Sequence, residues 1–180
     1  MRAARHGPLC NMDIFWQELS FGFPEYHEVQ RVVIRLLAAA FLGAAIGIER
    51  QRAGKSAGVR THMLVTVGTT VFLLACSRYG MNLDGMSRVI QGIVTGIGFI
   101  GAGTILKLEG ESEVKGLTTS AGIWMAAAIG VAVGLGALGL AVMTTFLALV
   151  ILTVTVAVDN WINKGRITKK TMKKNVKMES

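Results

Sequence analysis

Charged residues are scarce in this 180-residue sequence, and their absence from one long stretch limits the class of protein it can be. Only 17% of residues are charged, and the 43 residues between Lys115 and Asp159 carry no charge at all. A soluble domain of this size has no core large enough to hide such a run, whereas about 20 apolar residues span the hydrocarbon layer of a bilayer. The sequence therefore predicts an integral membrane protein, in contact with the lipid bilayer and built as one compact bundle.

Cysteine is equally scarce, and the residue types that perform catalysis are poorly placed. Cys10 and Cys76 are the two cysteines, and their positions predict neither a disulfide framework nor a metal site. The sequence offers no nucleophile grouped with a base and an orienting acid, and His62, at the start of an apolar run, is interpreted as an interfacial anchor. We therefore predict no enzymatic activity and no cofactor, and we assign no metal ligands.

Basic residues are concentrated at the ends of the apolar region. The net charge is +8, and the tail from Asp159 to Ser180 holds seven Lys/Arg against two acids. No aromatic residues are interleaved with the lysines after Trp161, so nucleic-acid binding is disfavoured, and such a tail in a membrane protein is typical of the cytoplasmic side. Residues 1–28 lack the order of a cleavable signal and mix aromatics with acids, which favours either a segment at the membrane surface or a flexible one.

The apolar runs predict an all-α bundle of about five transmembrane helices. The first runs from about Val29 to Ile48, the second from about Val59 to Cys76, and the third lies between Arg88 and Lys107. The long uncharged run suits two helices separated at the glycine cluster Gly134 to Gly139. The predicted division is an N-terminal segment, 1–28, a transmembrane bundle, 29–158, and a basic cytoplasmic tail, 159–180.

The loop charges predict an orientation. The first loop, Glu49 to Arg60, has four Lys/Arg against one Glu, and four helices separate it from the basic tail. Both basic segments can therefore lie in the cytoplasm, with the N-terminus outside. The loop from Lys107 to Lys115 is then also cytoplasmic.

Small residues recur at the four-residue spacing through which membrane helices approach one another closely. They form faces on three of the five predicted helices, which exceeds what one small bundle can use internally, so we predict a homo-oligomer. The residues assigned to helix packing are Gly43, Gly47, Gly92, Gly96, Gly101, Gly103, Gly122 and Gly130.

A shift of 58 residues brings two pairs of short segments into register. "FLGA" from Phe41 falls on "FIGA" from Phe99, and "GVRT" from Gly58 falls on "GLTT" from Gly116, with no gap between the two matches. This pattern predicts a parallel duplication that relates helices one and two to helices three and four, although the low overall identity leaves chance as the alternative. The first loop is basic, whereas the second carries Glu109, Glu111 and Glu113.

Three segments taken together resemble the membrane domain of the MgtC/SapB family. They are "LGAAIGIERQRAGKSAGVRTHMLVTVGTTVF", "IVTGIGFIGAGTIL" and "VKGLTTSAGIWMAAAIGVAVG", in order between about Val32 and Leu152. The resemblance implies a five-helix protein of the bacterial inner membrane, linked to growth at low magnesium and to virulence, with ATP synthase as a membrane partner. Many members carry a soluble C-terminal domain of the ACT type, and no function seated there is expected of this sequence.

Two functional hypotheses follow. The preferred one is a regulatory membrane protein whose charged cytoplasmic cluster binds an anionic headgroup, a partner loop or a phosphate-bearing ligand, with Thr61 and Thr119 capping helix starts. The alternative is a cation (Mg²⁺) transporter or channel, which is disfavoured because the interiors of the third, fourth and fifth helices lack carboxylates. The basic residues could also serve orientation alone. The residues assigned to the binding site are Glu49, Arg50, Arg60, Thr61, Gly116, Thr118 and Thr119.

Overall fold

The computed structural model describes Met12, Ile14, residues 26–107 and residues 114–154, and the last two ranges form a helical bundle. Between residues 26 and 154 the described helices number five, which confirms the predicted all-α class. A two-residue antiparallel ladder pairs Leu106–Lys107 (β1) with Val114–Lys115 (β2) between the third and fourth helices. The helices are α1 (Tyr26–Arg52), α2 (Val59–Arg78), α3 (Leu83–Gly103), α4 (Leu117–Gly134) and α5 (Leu138–Val154).

Three of the described helices, α1, α2 and α4, are long and apolar enough to cross a membrane. In α3, glycines and polar residues such as Gln91 lower the mean hydropathy. The apolar helix α5 has 17 described residues. Large apolar side chains point away from the bundle, among them Phe41, which is 74% exposed, and Phe99, which is 83% exposed. Surfaces of this kind are expected of helices that face lipid.

The long uncharged run is interrupted where the glycine cluster predicted a break. Gly136 has a φ of +85°, a left-handed conformation that ends helices and that glycine adopts without steric cost. Its N–H donates to the Val133 carbonyl, and the Ala137 N–H donates to the Ala132 carbonyl, each over 2.9 Å. These two bonds satisfy the last carbonyls of α4 and allow α5 to begin at Leu138.

The helix ends differ in detail from the predicted spans. α1 extends about one turn beyond the predicted span at each end and begins at Tyr26, inside the predicted N-terminal segment. The added turns carry Glu28, which pairs with Arg78, and Arg50, which pairs with Glu49. The predicted tail, 159–180, and residues 1–25 apart from Met12 and Ile14 lie outside the described residues.

The core is built around α4, which takes part in two apolar clusters. In one cluster Ile46 of α1 packs with Ile129 of α4 and with residues of α5. In the other, Leu73 of α2 packs with Ile123 of α4 and with residues of α3. This arrangement brings the ends of α1 and α3 and the starts of α2 and α4 together at one end of the bundle, which we call the loop end.

Candidate partner-binding site

The last turns of α1 carry an ion pair inside the bundle. Arg50 is only 2% exposed, and its Nε and Nη2 donate to the two carboxylate oxygens of Glu49 over 2.5 and 2.9 Å. Glu49 itself is 14% exposed. A two-point contact of this kind compensates part of the cost of removing both charges from water. Arg50 therefore contributes to the interior of the protein, and an orientation role alone does not account for it.

His62, in the first turns of α2, is wholly buried. Its Nδ1 lies 2.9 Å from the Gly58 carbonyl oxygen, and because a carbonyl can only accept, Nδ1 carries a proton and, in the neutral ring, Nε2 presents a lone pair. Nε2 has no hydrogen-bond partner among the described residues. The ring thus lies between helices rather than at the membrane surface, and the interpretation of His62 as an interfacial anchor is wrong.

The start of α4 encloses the same region from the opposite side. A Cβ placed on Gly122 would lie 3.2 Å from Nε2 of His62 and 3.8 Å from Cδ of Arg50. Thr119, one turn earlier on α4, is 2% exposed. Three helices therefore bring together a buried polar group at the loop end. We call it the loop-end cluster, and its members are Glu49, Arg50, His62, Thr119 and Gly122.

Three of the predicted site residues, Arg60, Thr61 and Thr118, are not members of this cluster. They lie in the first turns of α2 and α4, which we call its rim. Arg60 and Thr118 are exposed, and Thr61 is half-buried. Arg60 is one residue past the start of α2, and Thr118 holds the same position on α4. Glu49 and Arg50 are thus paired and Thr119 is buried, whereas Arg60 and Thr118 are exposed, and a shared binding role for these residues stays a prediction.

The predicted capping role of Thr61 and Thr119 is wrong. The residues that cap α2 and α4 are Gly58 and Gly116, neither of which offers a side chain for a cap hydrogen bond. Both threonines lie in the third helical position, inside the helix. Gly116 has a φ of +97°, and a Cβ there would collide with the Thr104 carbonyl, so this glycine is required by the backbone turn.

The polar residues of α2 form a buried seam that continues from His62 toward the middle of the bundle. The Thr66 hydroxyl donates to the Ala39 carbonyl over 2.8 Å, and the Thr70 hydroxyl donates to the Gly130 carbonyl over 2.9 Å. These hydroxyls also lie within hydrogen-bond distance of carbonyls of α2 itself. The bonds to α1 and α4 stabilise the packing of α2 against both helices.

The glycines assigned to packing separate into two groups. Gly43 and Gly47 of α1 and Gly130 of α4 lie so close to α2 that an added Cβ would overlap its backbone. A Cβ on Gly101 of α3 would instead meet a side chain, the Ser120 hydroxyl of α4, with the Ser120 Cα 3.9 Å away. An added Cβ would meet nothing within 4 Å among the described residues at Gly92, Gly96 and Gly103. That these last three glycines pack against a second copy of the chain remains a prediction.

Two features of the predicted site are not covered by this geometry. Glu109, Glu111 and Glu113 lie outside the described residues, so pairing between the two loops stays a prediction. Within residues 26–107 and 114–154, no three or more His, Cys, Asp or Glu side chains group as metal ligands would.

The apolar helices and the outward-facing large side chains define a helical membrane protein. The chain belongs to the MgtC family, whose sequence profile matches residues 36–161 and so includes the whole loop-end cluster. No solved structure matches the chain.

Three relatives illustrate the similarity. "Putative magnesium transporter YhiD" of Escherichia coli K12 is 43% identical over 130 residues, which cover 68% of this chain and 59% of that protein. "Protein MgtC" of Salmonella typhimurium is 45% identical over 117 residues, covering 65% and 49%. "Protein SrpB" of Synechococcus elongatus is 40% identical over 130 residues, covering 66% and 71%. The matched region thus spans about half to three fifths of the length of the first two relatives.

Proposed function

We propose that this protein is a multi-pass protein of the bacterial inner membrane that regulates adaptation to low magnesium by binding a membrane partner or an anionic ligand at its loop end. The basic loop between α1 and α2 favours a cytoplasmic position for this end, with the N-terminus outside. Membership of the MgtC family supports the link to magnesium. A second copy of the chain and the ATP synthase are the protein partners that the proposal includes.

The observation that carries the proposal is the unpartnered Nε2 of His62. A buried acceptor without a hydrogen bond costs about 1–3 kcal/mol, and such groups in native proteins usually serve a function or bind water. Here the acceptor lies close to Arg50 of the buried ion pair, and the first turns of α2 and α4 also carry the exposed side chains of Arg60 and Thr118. A partner that contacts the exposed rim can alter the packing of the cluster beneath it.

The name of the Escherichia coli relative favours magnesium transport as a second candidate. The buried seam of Thr66 and Thr70 would supply the polar surface of a path. Two observations weigh against it, because both hydroxyls donate to backbone carbonyls and the carboxylate of Glu49 is engaged by Arg50. Mg²⁺ requires several oxygen ligands in near-octahedral geometry, and these would have to be released from existing contacts.

Substitution of Arg60 tests the preferred function. Arg60→Ala removes an exposed side chain at the rim, and Arg88→Ala is the matched control because Arg88 is an exposed arginine of α3 at the opposite end. In a host strain that lacks its own family member, we expect Arg60→Ala to abolish growth at low magnesium and Arg88→Ala to retain it. Immunoblots of membrane fractions establish equal insertion. Growth of the Arg60→Ala strain equal to wild type would refute the site.

Transport is tested separately with the purified wild-type protein in proteoliposomes that enclose a Mg²⁺-sensitive dye. The preferred function predicts no flux above that of empty liposomes. Robust flux that Glu49→Gln removes would replace the regulatory proposal with a transporter.

A further inference from the structure

A second polar feature lies at the end of the bundle opposite the loop end. A groove of about 470 Å³ opens there between the first half of α1 and the second half of α2. Its volume falls within the range of sites that bind small molecules. We call it the far-end groove and define it by three arginines and part of its apolar wall, namely Arg31, Arg35, Arg78, Val32, Leu36 and Val71.

The groove has an excess of positive charge. Glu28 is the acid among the residues that line it, and it forms an ion pair with Arg78. Arg35 is half-buried, and one of its five N–H groups donates to the Gly134 carbonyl over 3.0 Å, with the guanidinium close to Gly136. Arg31 is exposed and makes no hydrogen bond or ion pair to another described residue. With three arginines and one glutamate, the groove has a net positive charge that favours binding of an anion.

The position of the arginines along α1 matches the dimensions of a bilayer. Arg31 precedes Glu49 by 18 residues, which corresponds to a separation of about 27 Å along a helix, close to the thickness of the hydrocarbon layer. Arg35 lies about 6 Å deeper, and long arginine side chains can extend toward the headgroups. The groove thus presents cations at headgroup depth and an apolar wall at the depth of acyl chains.

We propose that the far-end groove binds one anionic phospholipid. The phosphate lies against Arg31 and Arg35, and an acyl chain lies along Val32, Leu36 and Val71. Guanidinium groups bind phosphate oxygens through paired N–H donors, and basic pockets between membrane helices recognise anionic headgroups. Charge complementarity selects an anionic lipid over a zwitterionic one. This site is independent of the loop-end cluster and of the function proposed for it.

Native mass spectrometry tests the headgroup contact. The purified chain is released from micelles doped with phosphatidylglycerol or with phosphatidylcholine, and retained lipids are counted. Arg31→Gln is compared with Arg88→Gln, since both residues are exposed arginines at the same end and Arg88 does not line the groove. We expect preferential retention of phosphatidylglycerol, reduced about fivefold by Arg31→Gln, as follows from about 1 kcal/mol per basic residue. Arg88→Gln should retain the wild-type level.

Substitution of the wall tests the acyl-chain contact. Val71→Trp fills the groove, and Leu64→Trp places the same side chain on an exposed face of α2 outside it. We expect Val71→Trp to reduce lipid retention and Leu64→Trp to leave it unchanged, with similar melting temperatures for both variants.

Three results would overturn the proposal. The first is an equal loss of lipid from Arg31→Gln and Arg88→Gln, which would mean that lipid retention depends on the overall surface charge and not on the groove. The second is displacement of the lipid by millimolar glycerol 3-phosphate, which would indicate a site for soluble phosphates. The third is loss of an oligomer, with lipid retention intact, in Val71→Trp, which would make the groove an interface between copies.

Discussion

The hairpin of α1 and α2 and the hairpin of α3 and α4 share a framework. The second helix of each begins at equivalent positions under the 58-residue shift, Val59 and Leu117. Gly43 of α1 lies against α2 near His62, and Gly101, its counterpart in α3, lies against Ser120, the counterpart of His62. A glycine thus faces the following helix at the same position in both hairpins, although the backbones approach more closely in the first. The duplication itself remains a prediction that these contacts favour.

The two hairpins differ in what they bury. His62, Thr66 and Thr70 of α2 are fully buried and polar. Their counterparts in α4 under the shift are Ser120, Trp124 and Ala128, and Trp124 is 48% exposed. The second hairpin forms without a buried polar seam. The buried polar groups of the first hairpin are therefore not required for two helices to pair as a hairpin.

The largest effect is expected from separating the buried ion pair of the first hairpin. Arg50→Met leaves the Glu49 carboxylate without its partner and should lower the free energy of unfolding by about 3 kcal/mol, the lower end for a broken buried pair because Glu49 is 14% exposed. The double variant Glu49→Gln with Arg50→Met should recover most of this loss. Unfolding in mixed detergent, followed by circular dichroism, measures both. A double variant less stable than Arg50→Met would contradict the buried-pair interpretation.

An intermediate effect should distinguish the equivalent glycines. In Gly43→Ala the new Cβ would lie 2.8 Å from the His62 carbonyl oxygen and 3.0 Å from the Met63 Cα, which are backbone atoms that cannot rotate away. In Gly101→Ala the obstacle is the Ser120 hydroxyl at 2.5 Å, which can rotate. We expect a loss of about 1–3 kcal/mol for Gly43→Ala and less for Gly101→Ala. Thermal unfolding midpoints measure the difference, and equal shifts would mean that the shared framework is equally tight in both hairpins.

The smallest effect concerns one hydrogen bond between helices. Thr70→Val removes the bond from α2 to the Gly130 carbonyl and should destabilise the protein by about 0.6 kcal/mol, a typical value for such bonds in membranes. Thr95→Val of α3 is the control, because the exposed Thr95 hydroxyl donates to Gln91 of its own helix. Urea or detergent titration of both variants measures the difference. If Thr95→Val were the more damaging, the seam of the first hairpin would not be a stabilising feature.

Helix number and boundaries could be predicted because charge and glycine act locally. Lys107 lies beyond the end of α3 and Gly136 ends α4 through its own backbone conformation, whereas α3 begins at Leu83, five residues before the Arg88 that was predicted to bound it. The candidate site could be predicted only in part. Glu49 and Arg50 are recognisable as charges at the end of an apolar run, but whether an arginine there faces solvent or the interior depends on which helix packs against it.

The missed residues share this physical reason. His62 looks like an interfacial residue because it follows Arg60 and Thr61 in a polar start, yet α4 covers it at Gly122. Thr61 and Thr119 look like caps because they precede apolar runs, yet α2 and α4 are capped one turn earlier by Gly58 and Gly116. The sequence did contain a signal for the true caps, because "GVRT" and "GLTT" each begin with the glycine that caps the helix.

The sequence by itself determined that the chain is a membrane protein of the MgtC family with five helices, since long apolar runs, their breaks and matching segments are properties of the chain read in order. Only the tertiary structure decided that Arg50 and His62 are interior groups, that Thr66 and Thr70 bond to neighbouring helices, and that three arginines line one groove. Burial depends on which faces of distant helices meet. That is decided by the close approach of α1 and α4 to α2 at Gly43 and Gly130.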